Sequence, residues 1–219
     1  MITINKHSSI KIAGEKILYF DPFEVEKAPH DADIIFITHK HFDHFEPDSI
    51  RALAKPSTII VAPKSIKEDV LSAGFDEDWC EFLAPYEEAE IDGIKVETVP
   101  SYNTNKPNHL KEFGWLGYIV TMKGGDEIGL ASEIRYYVAG DTDDNEDIRK
   151  VQCDVALVPA GGTYTMNADE AAAFVCAIKP AVAIPTHYGS IVGDISCGED
   201  FKAALKKLDP EIEVKLLIN

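Results

Sequence analysis

The sequence predicts a single domain of mixed α/β class. Three observations support this: the length of the chain, short apolar runs that recur along it, and stretches of helical periodicity between those runs. At 219 residues and 45% hydrophobic content, the chain can bury one large core. No internal repeat, low-complexity tract or long linker rich in Pro, Gly or Ser divides the sequence. We therefore expect residues 1–219 to form one domain.

Short apolar runs bounded by turn residues are typical of strands. The runs are Ile17–Phe20, Ile34–Thr38, Thr58–Ala62, Ile94–Val99, Trp115–Met122, Tyr136–Ala139, Val155–Pro159, Ala181–Pro185 and Val214–Ile218. We expect each run to form a strand, and we expect the polar stretch 103–112 to form a loop.

Helical periodicity lies between these runs, most clearly at Asn167–Lys179. There Asn167 can cap the N-terminus, Glu170 follows three residues later, and Pro180 ends the pattern. Two further stretches stop before a Gly or a Pro and predict helices at Lys64–Ala73 and Glu199–Leu208.

The composition limits the classes of partner. The formal charge is −17, from 38 acidic and 21 basic residues, and no cluster of Lys and Arg stands out. Such a surface repels phosphate backbones, so nucleic acid is a disfavoured partner. A small anionic substrate remains compatible with this charge, because bound metal ions reverse the local field.

The expected cellular compartment rests on the apolar segments and the cysteines of the sequence. No apolar stretch approaches 18 residues, and the first twelve residues have no secretory apolar segment. The four cysteines are widely spaced without a Cys-x-x-Cys pair, which argues against a zinc ribbon or a disulfide framework. We expect a soluble cytoplasmic protein with no membrane partner, and a homo-oligomer is compatible with the sequence.

A dense group of candidate metal ligands follows the apolar run Ile34–Thr38. It consists of His39, His41, Asp43 and His44. Imidazole nitrogens and carboxylate oxygens are ligands that Zn, Mn and Fe accept, and this spacing spreads them around a turn that could serve two ions. The alternative interpretation is a surface loop rich in histidine.

Other candidate ligands also stand after strand-like runs. Asp141 follows Tyr136–Gly140, His187 follows Ala181–Thr186, and His109 lies in the polar loop. If the carboxyl ends of these strands meet at one edge, these residues converge there. Taken singly, Asp141 could cap a turn, His187 could be a core histidine and His109 could be solvated. Their joint presence favours one site.

Three motifs resemble those of the metallo-β-lactamase superfamily, and they occur in the same order. They are residues 38–44, 139–142 and 185–189, which read Thr-His-Lys-His-Phe-Asp-His, Ala-Gly-Asp-Thr and Pro-Thr-His-Tyr-Gly. The branch that is most similar is a group of compact metal-dependent hydrolases related to ascorbate phosphate lactonases, as residues 21–23, 102–109 and 158–163 indicate. The resemblance spans about residues 7–190. It implies a four-layer αββα sandwich, with two mixed sheets face to face and the active site along one edge.

The resemblance also implies a ligand set for two divalent ions, most simply zinc, with manganese or iron as alternatives. His39, His41 and His109 would hold the first ion, Asp43, His44 and His187 would hold the second, and Asp141 would bridge them. His109 follows a loop instead of a strand. Either the third histidine ligand has moved to His109, or the first position is incomplete and binds metal poorly.

This arrangement predicts a metal-dependent hydrolase. Two ions roughly 3.5 to 4 Å apart lower the pKa of a shared water until hydroxide is present near neutral pH, and one ion polarises the electrophile. That hydroxide would attack an ester, lactone, amide or phosphoester of a small molecule, anionic or neutral. Asp43, which could orient the water or accept its proton, and Asp141 are the candidate catalytic residues.

Three other functions stay open at this point. An iron-dependent oxidoreductase uses the same ligands, although 219 residues leave little room for an added redox domain. A nuclease is disfavoured by the charge. A binding module that keeps metal without turnover is disfavoured by the size of the ligand set.

Three residues outside the ligand set carry two interpretations each. His7 could line the pocket or lie on the surface. Asp21 could fix the tautomer of a ligand histidine or cap a turn. Tyr164 could donate a hydrogen bond to substrate or be an ordinary packed tyrosine, and the packed role is the expectation.

Overall fold

The computed structural model describes residues 1–123 and 133–218. The described residues form two mixed β-sheets. The first consists of β1 (Ile2–Ile4), β2 (Ile10–Ala13), β3 (Ile17–Phe20), β4 (Ala32–Phe36), β5 (Ala54–Pro63) and β6 (Cys80–Leu83), in that spatial order. The strands β1 to β3 pair antiparallel, and β3 to β6 pair parallel.

The second sheet also combines antiparallel and parallel strands. It consists of β7 (Glu88–Ile91), β8 (Ile94–Pro100), β9 (Leu116–Lys123), β10 (Glu133–Val138), β11 (Val155–Pro159), β12 (Val182–Thr186) and β13 (Glu213–Val214). The strands β7 to β10 pair antiparallel, and β10 to β13 pair parallel. In both sheets neighbours in space are neighbours along the chain.

Helices cover the outer faces. The α-helices are α1 (Pro47–Leu53), α2 (Lys67–Ser72), α3 (Ala168–Ile178) and α4 (Cys197–Leu208), and short 3₁₀ helices occupy Lys64–Ile66, Glu77–Trp79, Lys111–Phe113 and Ile148–Lys150. The predicted cap of α3 is confirmed, because the Asn167 side chain accepts from the Glu170 N–H and the Glu170 carboxylate accepts from the Asn167 N–H. No helix in the described part of the chain is long and apolar enough to cross a membrane.

Three apolar clusters define four layers. The largest lies between the sheets, where Phe20 stacks on Phe36 at 4.7 Å between ring centroids, and Phe36 meets Tyr118 of the opposite sheet at 5.1 Å. A second cluster joins the second sheet to α3 and α4, and a third joins the first sheet to α1 and α2. The αββα sandwich is thereby confirmed.

Several short elements differ from the sequence-based expectation. The strand predicted at 214–218 is limited to Glu213–Val214, and the helix predicted at 64–73 divides into a 3₁₀ turn and α2. The strands β1, β2, β6 and β7 and the helix α1 were not predicted. They are short and half-buried, so each contributes only a few apolar residues and has no distinct periodicity.

Candidate metal centre

All seven predicted ligands converge at one edge of the sandwich, and His7 joins them. Their side chains form three overlapping groups, within each of which one ligand atom per residue lies within 4.8 Å of the others. The groups are His39, His41 and His109; His39, His44 and Asp141; and His7, Asp43, His44 and His187. The strands that deliver them belong to both sheets.

Four of the candidate ligands, His39, His41, Asp43 and His44, lie on a tight turn after β4. The backbone folds back on itself there, because the N–H groups of His44 and Phe45 donate to the carbonyl of His41 at 3.0 and 2.8 Å. The side chain of Phe42, which alternates with the ligands, is 68% exposed. The turn therefore directs the candidate ligand side chains inward and the Phe42 side chain outward.

Asp141 lies at the centre of the cluster. Its Oδ2 is 3.0 Å from His187 Nε2 and 3.2 Å from His109 Nε2, while its Oδ1 is 3.3 Å from His44 Nε2. Gly140 precedes it with φ of +65°, and a Cβ there would lie 3.0 Å from the Cβ of Thr38. A glycine is needed at this point because the ends of β10 and β4 come so close together.

His187 and His109 both sit in the left-handed backbone region, with φ of +59° and +57°. The N–H of His187 donates to the carbonyl of His7 at 3.2 Å. The ring of His109 is held by Asn103, whose Nδ2 lies 3.1 Å from His109 Nδ1 and donates to the Tyr164 carbonyl at 2.7 Å. Hydrogen bonds to neighbouring loops thus hold two candidate ligands, His187 directly after β12 and His109 in the loop before β9.

Asp21 contacts a ligand histidine, which decides between its two interpretations. Its Oδ2 accepts from His44 Nδ1 at 2.7 Å, and the carboxylate also accepts from the N–H and the hydroxyl of Thr38, each at 2.7 Å. These contacts place the His44 proton on Nδ1 and leave Nε2 directed at Asp141. Asp21 is fully buried, so this carboxylate is part of the site and not a surface turn.

Aromatic residues complete the surroundings. Trp115, the first residue of a predicted strand, is buried, and its ring packs on His39, His41 and His109 at centroid distances of 4.7, 4.9 and 5.4 Å. The expectation of a packed Tyr164 is wrong, since its side chain is 44% exposed. Sequence spacing gave no signal for the Trp115 contacts, because Trp115 begins a sheet run and meets the histidines only through the tertiary fold.

Electrostatics favour the protonation states of metal ligands at His39 and Asp141, whereas at His44, where burial lowers the pKa, the carboxylates of Asp141 and Asp21 raise it well above its ordinary value. Burial lowers the pKa of His39 well below its ordinary value, which keeps that imidazole neutral. Burial alone would raise the pKa of Asp141, but the imidazoles of His187 and His44 hold it well below the usual range. A neutral imidazole beside an ionised carboxylate is the state that metal ligation requires.

The donor set fits a divalent metal ion. Several buried polar atoms have no hydrogen-bond partner within the described residues, namely His7 Nε2, His44 Nε2, His109 Nε2, His187 Nε2 and Asp141 Oδ1. Buried polar groups without partners are costly, and metal ions bound within the groups of this cluster would satisfy them. Nitrogen and carboxylate oxygen donors suit zinc, manganese and iron.

The fold and this cluster define a hydrolase of the metallo-β-lactamase type. Residues 1–187 match the Beta-lactamase superfamily domain, and the chain belongs to that superfamily. It is 30% identical over 222 residues to a UPF0173 metal-dependent hydrolase of Methanopyrus kandleri, in a match that covers 95% of this chain and 91% of that protein.

Solved structures agree. A metal-dependent hydrolase from Parabacteroides distasonis superposes with a TM-score of 0.77 at 30% identity, covering 100% of this chain and 93% of that chain. A metallo-β-lactamase fold protein from Bacillus subtilis has a TM-score of 0.67 at 12% identity, covering 96% and 88%. The first supports the family and the second the fold, and the protein is a metal-dependent hydrolase of this superfamily.

Proposed function

We propose that this hydrolase uses two divalent metal ions, zinc in the first instance, to cleave an ester, lactone, amide or phosphoester bond in a small molecule. The observation that carries the proposal is the position of Asp141. Its two carboxylate oxygens face different histidines, with Oδ2 near His109 and His187 and Oδ1 near His44. A carboxylate in that position can join two ions.

The ligands divide between the two positions as follows. His39, His41 and His109 would hold one ion, Asp43, His44 and His187 would hold the other, and Asp141 would contact both. When bound, such ions lower the pKa of a water molecule and polarise the bond to be cleaved.

Two carboxylates of the chain have separate roles: Asp43 would accept a proton, and Asp21 orients His44. Asp43 Oδ2 lies 3.6 Å from His44 Nε2 and 3.8 Å from His187 Nε2, so this oxygen faces the ligands. The Asp43 side chain is 11% exposed against 4% for Asp141, so Asp43 is the more accessible carboxylate to accept a proton from the attacking water. Asp21 keeps His44 in a single tautomer throughout, because its Oδ2 accepts the Nδ1 proton.

The charge and the thiols of the chain support the proposed kind of substrate and the proposed compartment of the protein. The net charge of −17 opposes a nucleic acid substrate, which supports a small molecule. The four cysteines are free thiols, which supports a reducing cytoplasm.

A metal-reconstitution assay tests the proposal. The protein is stripped with a chelator, reloaded with zinc, manganese or ferrous iron, and assayed on lactone, phosphodiester, thioester and carboxylic ester panels. We expect hydrolysis that requires metal and that falls on the order of 100-fold or more in Asp141→Asn. The control is Asp144→Asn, which removes a surface carboxylate paired with Arg149 and should retain activity.

Two results would contradict the proposal. Turnover that persists without metal would remove the role of the ions. Oxygen consumption that occurs only with iron, together with visible absorption and no hydrolysis, would identify an oxidoreductase instead.

A further inference from the structure

His7 belongs to the metal centre by position. It lies in the loop between β1 and β2 with φ of +56°, and its side chain is fully buried. Its carbonyl accepts a hydrogen bond from the N–H of His187. This bond links the β1–β2 loop of the first sheet to a candidate ligand that follows β12 of the second sheet. A surface histidine is excluded by this burial.

The ring of His7 is directed at the second metal position. Its Nε2 lies 3.3 Å from Asp43 Oδ2 and has no hydrogen-bond partner among the described residues. Its ring centroid is 3.9 Å from that of His187. A buried nitrogen without a partner, placed beside a carboxylate and an imidazole, is the arrangement of a ligand group.

The distances between donor atoms agree with a shared ion. Donors bound tetrahedrally to zinc at about 2.1 Å lie roughly 3.4 Å from one another. From Asp43 Oδ2, the distances to the Nε2 atoms of His7, His44 and His187 are 3.3, 3.6 and 3.8 Å. His7 Nε2 is therefore closer to the common carboxylate than the two histidines that the sequence predicted.

We propose that His7 is a further protein ligand of the second metal position, through Nε2. This inference rests on the metal centre of the proposed function. Ser190 supports it, because its Oγ lies 3.2 Å from His7 Nδ1 and can accept the Nδ1 proton, which leaves the Nε2 lone pair free.

The added ligand makes the two positions unequal. With His7, Asp43, His44 and His187, the second position has four protein donors before Asp141 is counted, whereas the first has only His39, His41 and His109. Asp141 adds one donor to each position, which gives five at the second and four at the first, and the position with fewer protein donors keeps more room for water and substrate. The second ion is then the tightly held one, and the first position is the one open to substrate.

A competing role for His7 is a hydrogen bond alone. In that case Ser190 would donate to Nδ1, and Nε2–H would donate to Asp43. The two roles differ in the tautomer of His7.

Zinc titration of His7→Asn tests whether His7 contributes to zinc affinity, and the tautomer of His7 then separates the two roles. Asparagine tolerates the left-handed backbone and keeps a polar group near Ser190 while removing Nε2. The matched control is His30→Asn, since His30 also has a positive φ, of +47°, but is exposed and remote from the cluster. Calorimetric titration with zinc should show two equivalents in the wild type and in His30→Asn, and a loss on the order of tenfold or more in affinity for one equivalent in His7→Asn.

A second measurement reads the tautomer directly and uses the unaltered chain. In ¹⁵N-histidine-labelled protein loaded with zinc, long-range ¹H–¹⁵N spectra should show His7 protonated at Nδ1 with a metal-shifted Nε2. This measurement decides the question even if His7→Asn does not fold.

The outcomes distinguish this inference from the proposed function. If the wild type binds no zinc, both fail. If the wild type binds two ions and His7→Asn binds both with unchanged affinity, or if His7 carries its proton on Nε2 in the zinc form, only the assignment of His7 is overturned.

Discussion

At the scale of single residues, the carboxylate behind His44 governs the geometry of the site. Asp21 accepts three hydrogen bonds, two from Thr38 and one from His44 Nδ1, each of 2.7 Å. Both carboxylate oxygens are occupied by donors in a fully buried position. A ligand histidine with such a partner keeps one tautomer and one ring orientation.

Replacing this carboxylate by an amide should weaken metal binding. In Asp21→Asn, one oxygen becomes an NH₂ group that faces a donor, so we expect about 10- to 100-fold lower zinc affinity and a loss of about 1 to 3 kcal/mol in unfolding free energy. Calorimetric titration and urea unfolding measure the two effects. Asp33→Asn is the control, because Asp33 accepts from the Ile17 N–H and from Lys55 away from the centre. An Asp21→Asn protein with wild-type affinity would contradict the role of Asp21.

The candidate ligand positions other than His109 could be predicted from sequence because they lie in three short motifs, and their metal binding stays a prediction. The structure brings together His39, His41, Asp43, His44, His109, Asp141 and His187 as the resemblance implied. His7 and Asp21 could not be assigned, because their roles depend on contacts with residues far along the chain, His7 with His187 and Asp21 with His44. No local pattern encodes such contacts.

At the scale of elements, two strand-end loops must touch for His187 to reach the site. Gly161 follows β11, and an ideal Cβ at this glycine would overlap the carbonyl oxygen of His187. The same Cβ would lie 3.2 Å from Val192 Cγ2. The close approach of these loops therefore depends on the missing side chain at Gly161.

Adding a methyl group there should displace His187. We expect Gly161→Ala to cost about 1 to 3 kcal/mol in stability through overpacking, and to lower zinc affinity as well. Gly93→Ala is the control: Gly93 has φ of +82°, and a Cβ added there would meet no atom within 4 Å, so this variant carries backbone strain without a contact near the centre. Chemical denaturation and zinc titration of both variants measure the difference. Equal zinc affinities in the two variants would show that the loop contact does not position His187.

The strength of the sequence signal for a strand depends on whether the strand is central or peripheral in its sheet. Long central strands such as β9 and β11 were predicted because both faces are buried, which requires continuous apolar runs. The peripheral strands β1 and β7 have exposed faces and three or four residues each, so their signal is weak. Their pairing depends on the neighbouring strand and not on their own sequence.

At the scale of the whole molecule, the metal centre joins the two halves of the sandwich. His39 to His44 follow β4 of the first sheet, whereas Asp141 and His187 follow β10 and β12 of the second. The cluster between the sheets continues this connection through the core. We therefore propose that the chain unfolds as one cooperative unit and that bound metal stabilises that unit.

Metal removal should consequently lower global stability. At free zinc a thousandfold above the dissociation constant, binding to the folded state alone contributes about 4.1 kcal/mol per ion. Urea unfolding with zinc and with a chelator, followed by circular dichroism and by tryptophan fluorescence, should show coincident transitions that shift together. Transitions that separate, or that ignore the chelator, would contradict a metal-linked single unit.

The most direct test of a two-ion centre joined by Asp141 is the zinc content of the chain. Inductively coupled plasma and native mass spectrometry of the zinc-equilibrated protein should give two ions per wild-type chain. One ion should remain in His109→Asn, and at most one in Asp141→Asn. A wild type that binds one ion or none, or an Asp141→Asn protein that still binds two, would contradict it.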